Sequence, residues 1–405
     1  MATPSFTAST FESSAVKPLD ELFEKAFQQG ASDIHFESAE ANFRVRFRID
    51  GRLQIAAIPP WQLRDAMISR LKVLARMDIA EKRLQQDGRI QYPHGTSIID
   101  LRVNSLPTLH GEKIVVRILN FSRERPDLAT LGYEPDDQAR LKQAITQPHG
   151  MVLMTGPTGS GKTLSLYSCL DLLNRPEVNI STVEDPSEIH LPGANQVNVN
   201  ERTGLTFAVT LRALLRQDPD VIMVGEIRDT ETAEIAIQAA QTGHLVLSTL
   251  HTNDAPSTLA RLRHMGIAPF NVAASVLLIT AQRLLRRLCT RCKRTLNPTQ
   301  FETFLSKLSP QEQHCFHATR SPSSSIYQAV GCSACDQGYR GRVGIYQMMP
   351  ISTALQALIL RDSNVQALTQ QAVREGMRTL RQAGWLKVAQ GMTSIEEVMA
   401  LTIHG

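Results

Sequence analysis

The sequence predicts an α/β protein in which a parallel sheet with helices on its faces follows an α+β domain and carries a small metal-binding insert. Three observations predict it. Strand-like apolar runs alternate with helical patterns from Leu141 onward. The first run, Met151-Val-Leu-Met-Thr155, meets a Gly-rich turn and a helical pattern opened by Lys162-Thr163. Gly156 to Thr163 therefore fits G-x-x-x-x-G-K-[ST] in the strand-to-helix context that the motif requires. Finally, two C-x-x-C pairs, Cys289/Cys292 and Cys332/Cys335, stand 39 residues apart late in the chain.

Size and composition bound the rest. The 405 residues suggest two or three domains, and 42% hydrophobic with 20% charged residues is an ordinary globular balance. A net charge of 43 minus 39, or +4, does not by itself imply nucleic acid. Residues Met1 to Val16 lack the basic start and apolar core of a secretory signal. No run reaches the roughly 18–20 apolar residues that span a bilayer. Ile267 to Gln282, the longest uncharged candidate, contains Pro269 and Asn271 and precedes Arg283, Arg286 and Arg287, so it reads as a buried helix. A cytoplasmic protein, at most peripheral to a membrane, is expected.

The α+β domain is placed at 17–120, after a disordered stretch at 1–16. A helical pattern opens near Pro18 and stops at Gly30. Phe43-Arg-Val-Arg-Phe-Arg-Ile49 alternates as a half-buried strand, and Asp50-Gly51 turns it into Arg52–Ile55. One face of that strand carries Arg44, Arg46 and Arg48, either as a solvated sheet face or as a basic stripe that reaches phosphate. Trp61 to Ala80 reads as a helix, Glu81 to Arg89 as a charged turn, and Ile98–Asn104 and Lys113–Leu119 as strands. Ser122 to Asp127, charged and holding Pro126, opens a linker spanning 121–140.

The second domain is placed at 141–405, with a zinc-binding subdomain at 285–345 and C-terminal helices at 350–405. Its strands are expected at Met151–Thr155, Asn179–Val183, Val197–Val199, Val221–Val224 and Leu245–Leu250. In an open α/β sheet the chemistry gathers at the carboxyl ends of the strands. The phosphate loop comprises Gly156, Pro157, Thr158, Gly159, Ser160, Gly161, Lys162 and Thr163. Its glycines let backbone N–H groups point inward, Lys162 supplies charge at the β and γ phosphates, and the Thr163 hydroxyl is the Mg²⁺ ligand. Glu184-Asp185-Pro186 follows one strand and Gly225-Glu226-Ile-Arg228-Asp229 another. Phosphoanhydride hydrolysis needs a held Mg²⁺ and an in-line water, so Glu226 is assigned to the water and Glu184 and Asp185 to the metal. The reverse role for Glu184 stays open. Arg228 is a nucleotide-binding candidate, and Asp229 suits the N-cap of a helix over Thr230–Thr242.

His244 and His251 bracket the strand Leu245–Leu250 and are candidates to report phosphate occupancy. The four cysteines make a closed, structural Zn²⁺ site. Cys169 and Cys315 have no partners in sequence and read as a core and a loop residue. Helices are expected over Thr353–Leu360, Val365–Arg374 and Met377–Gln390, and Thr393-Ser-Ile-Glu396 makes the capping box of a further, last helix.

The segments Ala31-Ser-Asp-Ile-His-Phe-Glu37, Gly156–Thr163, Thr182-Val-Glu-Asp-Pro186, Leu211–Asp229 and Thr242–Thr252 together resemble the secretion ATPases of type II secretion and type IV pilus assembly. The resemblance runs from about Val16 to the C-terminus. It implies a RecA-like P-loop ATPase domain flexibly joined to the N-terminal domain, a ring hexamer with ATP between domains, and arginines of the first domain near the nucleotide, here Arg46 or Arg48. It further implies a polytopic inner-membrane platform protein and cytoplasmic assembly proteins as partners, and a peripheral place at that membrane. Retraction motors of the superfamily lack the four-cysteine insert, so its presence favours the assembly or secretion branch. Gln85 and Gln347 depart from residues common in relatives. An extra N-terminal docking domain of many relatives is expected to be absent. A nucleic-acid translocase is the alternative, set back by a basic cluster at Arg283–Arg294 that is short and lacks interleaved aromatics.

Overall fold

The computed structural model describes residues 8–95, 97–119, 127–306, 308, 310, 312–313, 316 and 325–402. The chain divides into two compact units, Met1–Glu124 and Arg125–Gly405.

The first unit consists of α1 (Ala8–Gln28), β1 (Asp33–Ser38), β2 (Phe43–Ile49), β3 (Arg52–Ala57), α2 (Arg64–Leu74), β4 (Gln86–His94), β5 (Ser97–Thr108) and β6 (Gly111–Leu119). The strands form one antiparallel sheet in the order β3-β2-β1-β6-β5-β4. Alternation sorts its two faces. Ile34, Phe36, Val45, Phe47, Ile114 and Val116 join Phe23 and Phe27 of α1 in the core, whereas Asp33, His35 and Glu37 point the other way. Asp50 and Gly51 take positive φ of 49° and 86°, the left-handed pair that a two-residue hairpin needs. Under α2 lies a buried ion pair, Lys72 Nζ to Glu112 Oε1 at 2.5 Å, supported by the Glu81 carbonyl and the Ser105 hydroxyl.

Three boundaries differ from the sequence reading. Helix α1 begins at Ala8 rather than near Pro18, so the expected disordered stretch overlaps it, while residues 1–7 lie outside the described residues. The helix expected over Trp61–Ala80 is a 3₁₀ turn at Trp61–Leu63 followed by α2. It stops early because Arg76 takes φ 59° and the Met77 amide returns to the Lys72 carbonyl at 2.8 Å, closing the last turn. The second half of the charged turn at Glu81–Arg89 is strand β4. Its Asp-Gly pair suggested a turn, but a Cβ on Gly88 would lie 2.3 Å from the Ala75 carbonyl, so this glycine lets the strand pass the end of α2. The expected linker at Ser122–Asp127 lies almost wholly outside the described residues.

The second unit contains α3 (Pro135–Ile145), β7 (Gly150–Thr155), α4 (Lys162–Leu173), β8 (Ile180–Glu184), β9 (Asn195–Asn198), α5 (Phe207–Leu214), β10 (Val221–Val224), α6 (Thr230–Gln241), β11 (Leu245–Leu250), α7 (Ala255–His264), α8 (Pro269–Ser275), β12 (Val276–Leu288), β13 (Arg294–Thr295), α9 (Pro298–Leu305), β14 (Tyr327–Gln328) and β15 (Tyr339–Pro350). Helices at Thr353–Leu360, Val365–Arg374, Leu380–Ala389 and Ile395–Leu401 follow. The main sheet runs β15-β12-β7-β11-β10-β8-β9, parallel throughout except for the edge strand β15. Its centre is buried on both faces. Met151 and Leu153 of β7 enter one core and Val152 and Met154 the other.

Ile267–Gln282 is not a buried helix. The chain makes only α8 before Val276 opens β12, which pairs with β7 on one side and β15 on the other. A continuous apolar run suits a doubly buried strand as well as a buried helix, and periodicity alone does not separate them. The helix expected to start at Met377 starts at Leu380, capped by Thr379. The last helix is capped by Ser394 rather than Thr393, whose hydroxyl donates to the Arg286 carbonyl at 2.8 Å. Cys169 is fully buried, as expected, and Cys315 lies outside the described residues. Among the described residues no helix is long and apolar enough to cross a membrane.

Candidate nucleotide site

The phosphate loop starts where β7 ends. Gly156, Gly159 and Gly161 take positive φ of 148°, 78° and 91°. Close packing adds a reason at Gly156, because a Cβ there would sit 2.6 Å from both the Gln282 carbonyl and the Ser160 Oγ. Lys162 opens α4 and folds back over the loop, donating to the carbonyls of Gly156 and Pro157 at 2.9 and 3.1 Å. Burial pushes its ammonium down to about 8, against the opposing charge of Glu226. Thr163 is half-buried at the second position of α4, where a hydroxyl faces the phosphates in this motif.

The parallel register brings further groups to the same end of the sheet. Asp185 follows β8, Glu226 follows β10 and His251 follows β11. Glu226 accepts from Arg228 Nη2 at 2.5 Å and lies 3.2 Å from His251 Nε2. Burial pushes the Glu226 carboxyl up, but hydrogen bonding and charge from Arg228, with help from His251, outweigh it and hold it below the ordinary glutamate range. Arg228 also reaches Asp185 at 3.3 Å, so one guanidinium ties the two strand ends together. Asp229 caps α6 through the Thr232 amide at 2.7 Å.

Within the second unit, Glu184 and His244 do not join this cluster. Glu184 is 4% exposed, and both its oxygens are occupied, by Tyr167 at 2.6 Å and by Thr182 and Gln196 at 2.7 and 3.2 Å. His244 precedes β11, level with Gly150 at the amino end of β7, so the length of the strand separates it from the loop. Its Nδ1 lies 3.0 Å from the Ala239 carbonyl. Arg46 and Arg48 belong to the first unit and are paired within it. There Arg46 makes a bidentate pair with Glu37 at 2.7 and 2.9 Å, while Arg48 lies 3.8 Å from Asp33 and donates to the Gly51 carbonyl.

The four thiols of Cys289, Cys292, Cys332 and Cys335 lie within 4.8 Å of one another. Separations of 4.0 Å for Cys289–Cys332 and 3.6 Å for Cys292–Cys335 and Cys332–Cys335 exceed a disulfide bond. They match the edge of a tetrahedron with Zn–S bonds of about 2.3 Å, which is about 3.8 Å. The donor set fits zinc.

The profile of the family described as "Type II/IV secretion system protein" matches residues 9–400. The chain belongs to this family. Among curated members of the type II/IV secretion family, it is 52% identical over 392 residues to the type IV pilus assembly ATPase PilB of Acinetobacter baylyi, covering 96% of this chain and 67% of the relative. It is 45% identical over 388 residues to the type II secretion system ATPase E of Vibrio cholerae, covering 96% and 75%. Among solved structures, the pilus retraction motor PilT with bound ADP superposes with a TM-score of 0.65 at 26% identity over 94% of this chain and 96% of that one. The Legionella pneumophila ATPase DotB, at 21% identity, shares the fold with a TM-score of 0.70 over 100% and 98%.

Sequence reasoning about this secretion-family chain missed the groups behind the strand ends. Tyr167 lies a little over one turn into α4 and turns its hydroxyl on Glu184. Thr155, Thr252 and Thr258 form a hydroxyl chain joining the ends of β7 and β11 to α7. No spacing rule announces either, since each partner comes from a different element. Gln347, one of the two departures from residues common in relatives, is buried and accepts from the Ala255 amide at 2.9 Å, at the first turn of α7.

Proposed function

We propose that this chain is an ATP-hydrolysing motor that works as a hexamer and powers type IV pilus assembly or type II protein secretion through an inner-membrane platform protein. The observation that supports it is the meeting of Lys162, Glu226, Arg228, Asp185 and His251 at one end of the parallel sheet, in a chain of the secretion family. Lys162 exchanges its carbonyl partners for the β and γ phosphates. Thr163 and Asp185 would hold Mg²⁺, which would neutralise charge on the phosphate oxygens. Glu226 is the better candidate to orient the attacking water, because its side chain is 23% exposed at the strand ends whereas Glu184 is buried behind Tyr167 and Gln196. His251 positions Glu226 and reports what lies beyond it. Arg46 and Arg48 are the candidates to add charge from the first unit of the same or another copy, Arg48 being the less committed. The four cysteines hold a structural Zn²⁺, and attachment to the cytoplasmic side of the inner membrane is peripheral.

The test is to purify Glu226→Gln from its native cells in mild detergent and identify what accompanies it. Recovery of a polytopic membrane protein with pilin-like subunits supports the motor, and the cluster encoding those subunits names the pathway. Nuclease-sensitive nucleic acid without a membrane partner would overturn it in favour of a translocase.

A further inference from the structure

Strand β12 pairs with β7 in parallel and places Ala281 opposite Thr155, so the next residues, Gln282 and Arg283, run beside the start of the phosphate loop. Gln282 is locked to that loop. Its Nε2 donates to the Ser160 carbonyl at 2.9 Å, and it is 1% exposed with Oε1 unpartnered. Arg283 reaches further. Its Nη1 donates to the Gln282 carbonyl at 3.0 Å and its Nη2 to the Asn253 carbonyl at 2.8 Å. Because β12 and β11 flank β7 on either side, this guanidinium spans the end of β7 from which the loop emerges.

The charges around it are unbalanced. Among the described residues no carboxylate forms an ion pair with Arg283. Its neighbour Asp254 is engaged at the N-cap of α7 by the Ser257 amide and hydroxyl at 2.7 and 2.9 Å. Lys162 is in the same condition, held by carbonyls alone. Two partly desolvated cations with only neutral acceptors make a site for a multiply charged anion, since a buried charge is costly until it is paired. A guanidinium has five N–H donors, and carbonyls take only some of these.

We propose that Arg283 is a second phosphate-binding cation of the nucleotide site, contacting the polyphosphate from the flank opposite Glu226 and His251. This rests on the reading of Gly156–Thr163 as that site. The influence of Arg283 on Lys162 agrees with it, because after burial the guanidinium is the group that lowers the Lys162 ammonium.

Equilibrium titration of the full chain with fluorescent ADP and ATP tests it, together with competition by inorganic tripolyphosphate. Arg283→Gln weakens all three by about tenfold to a hundredfold, the share of one charge-assisted hydrogen bond. Arg283→Lys recovers most of that loss, and the unfolding temperature without nucleotide is unchanged. Wild-type affinity in Arg283→Gln beside a weakened Lys162→Ala would overturn the role of Arg283 alone. Wild-type affinity in both would overturn the site itself. A loss shared by the glutamine and lysine variants, together with a lower nucleotide-free unfolding temperature, would make Arg283 a brace for the Asn253 loop and also overturn the proposal.

Discussion

The polar sheet face of the first unit and the phosphate loop of the second treat positive charge in opposite ways. On the polar sheet face of the first, Arg44, Arg46 and Lys113 surround Glu37, and Arg48 and Arg117 flank Asp33, with closest approaches from 2.7 to 3.8 Å. At the phosphate loop of the second, Lys162 and Arg283 rest on carbonyls. Cations matched by carboxylates within the same fold hold a sheet together. Cations left with neutral acceptors are available to an incoming anion. The same residue types are therefore matched within the fold in one place and left with neutral acceptors in the other, and the local supply of carboxylates decides which.

The largest effect should come from the unmatched side. Lys162→Ala and Glu226→Gln should each cut ATP turnover by about a hundredfold or more, and direct titration should show nucleotide binding lost in the first and kept in the second. Wild-type-like turnover by Glu226→Gln would remove it as the water-orienting group. On the matched side, Glu112→Gln should leave Lys72 buried beside a neutral partner. The first unit should lose about 3–5 kcal/mol, read from urea unfolding. A smaller effect separates the regions by pH. Because Lys162 titrates at about 8 without nucleotide and bound phosphate raises that value, binding takes up a proton above pH 8. Nucleotide affinity should hold below pH 8 and fall by up to about tenfold per unit above it. The smallest effect belongs to Glu37. Burial opposes its ionisation, yet Arg46, Lys113 and Arg44 hold its carboxyl down to about 2 from 4.5. The resulting stability is complete above pH 4.5 and should be lost as the pH falls toward 2, an acid-unfolding step of about 1–2 kcal/mol after solvent screening.

Where one local rule governed, the sequence was legible. The strands Val221–Val224 and Leu245–Leu250, the Asp50-Gly51 hairpin, the cap at Asp229 and the phosphate loop each follow from residues adjacent in the chain. Residues whose partners come from elsewhere were not legible. Glu184 looks like a metal ligand beside Asp185 until Tyr167 and Gln196 close over it. His244 looks paired with His251 until the parallel register puts a strand's length between them. Arg46 looks available until Glu37, on the neighbouring strand, engages its Nε and Nη2. The reading of Val276–Gln282 as helix failed for the same reason, because only the pairing with β7 and β15 makes it a strand.

Strand β12 has a mechanical consequence. It carries Gln282 against the phosphate loop and, seven residues on, leads into Cys289, an arm of about 23 Å at strand spacing. Its partner β15 begins at Tyr339, four residues after Cys335, and Leu288 faces Tyr339 across the ladder. The cysteine cluster is therefore mounted on the tip of a two-stranded ribbon whose root is the phosphate loop. Over an arm of that length a tilt of a few degrees at the root corresponds to an ångström-scale displacement at the tip, so the ribbon ties the position of the four thiols to that of the phosphate loop.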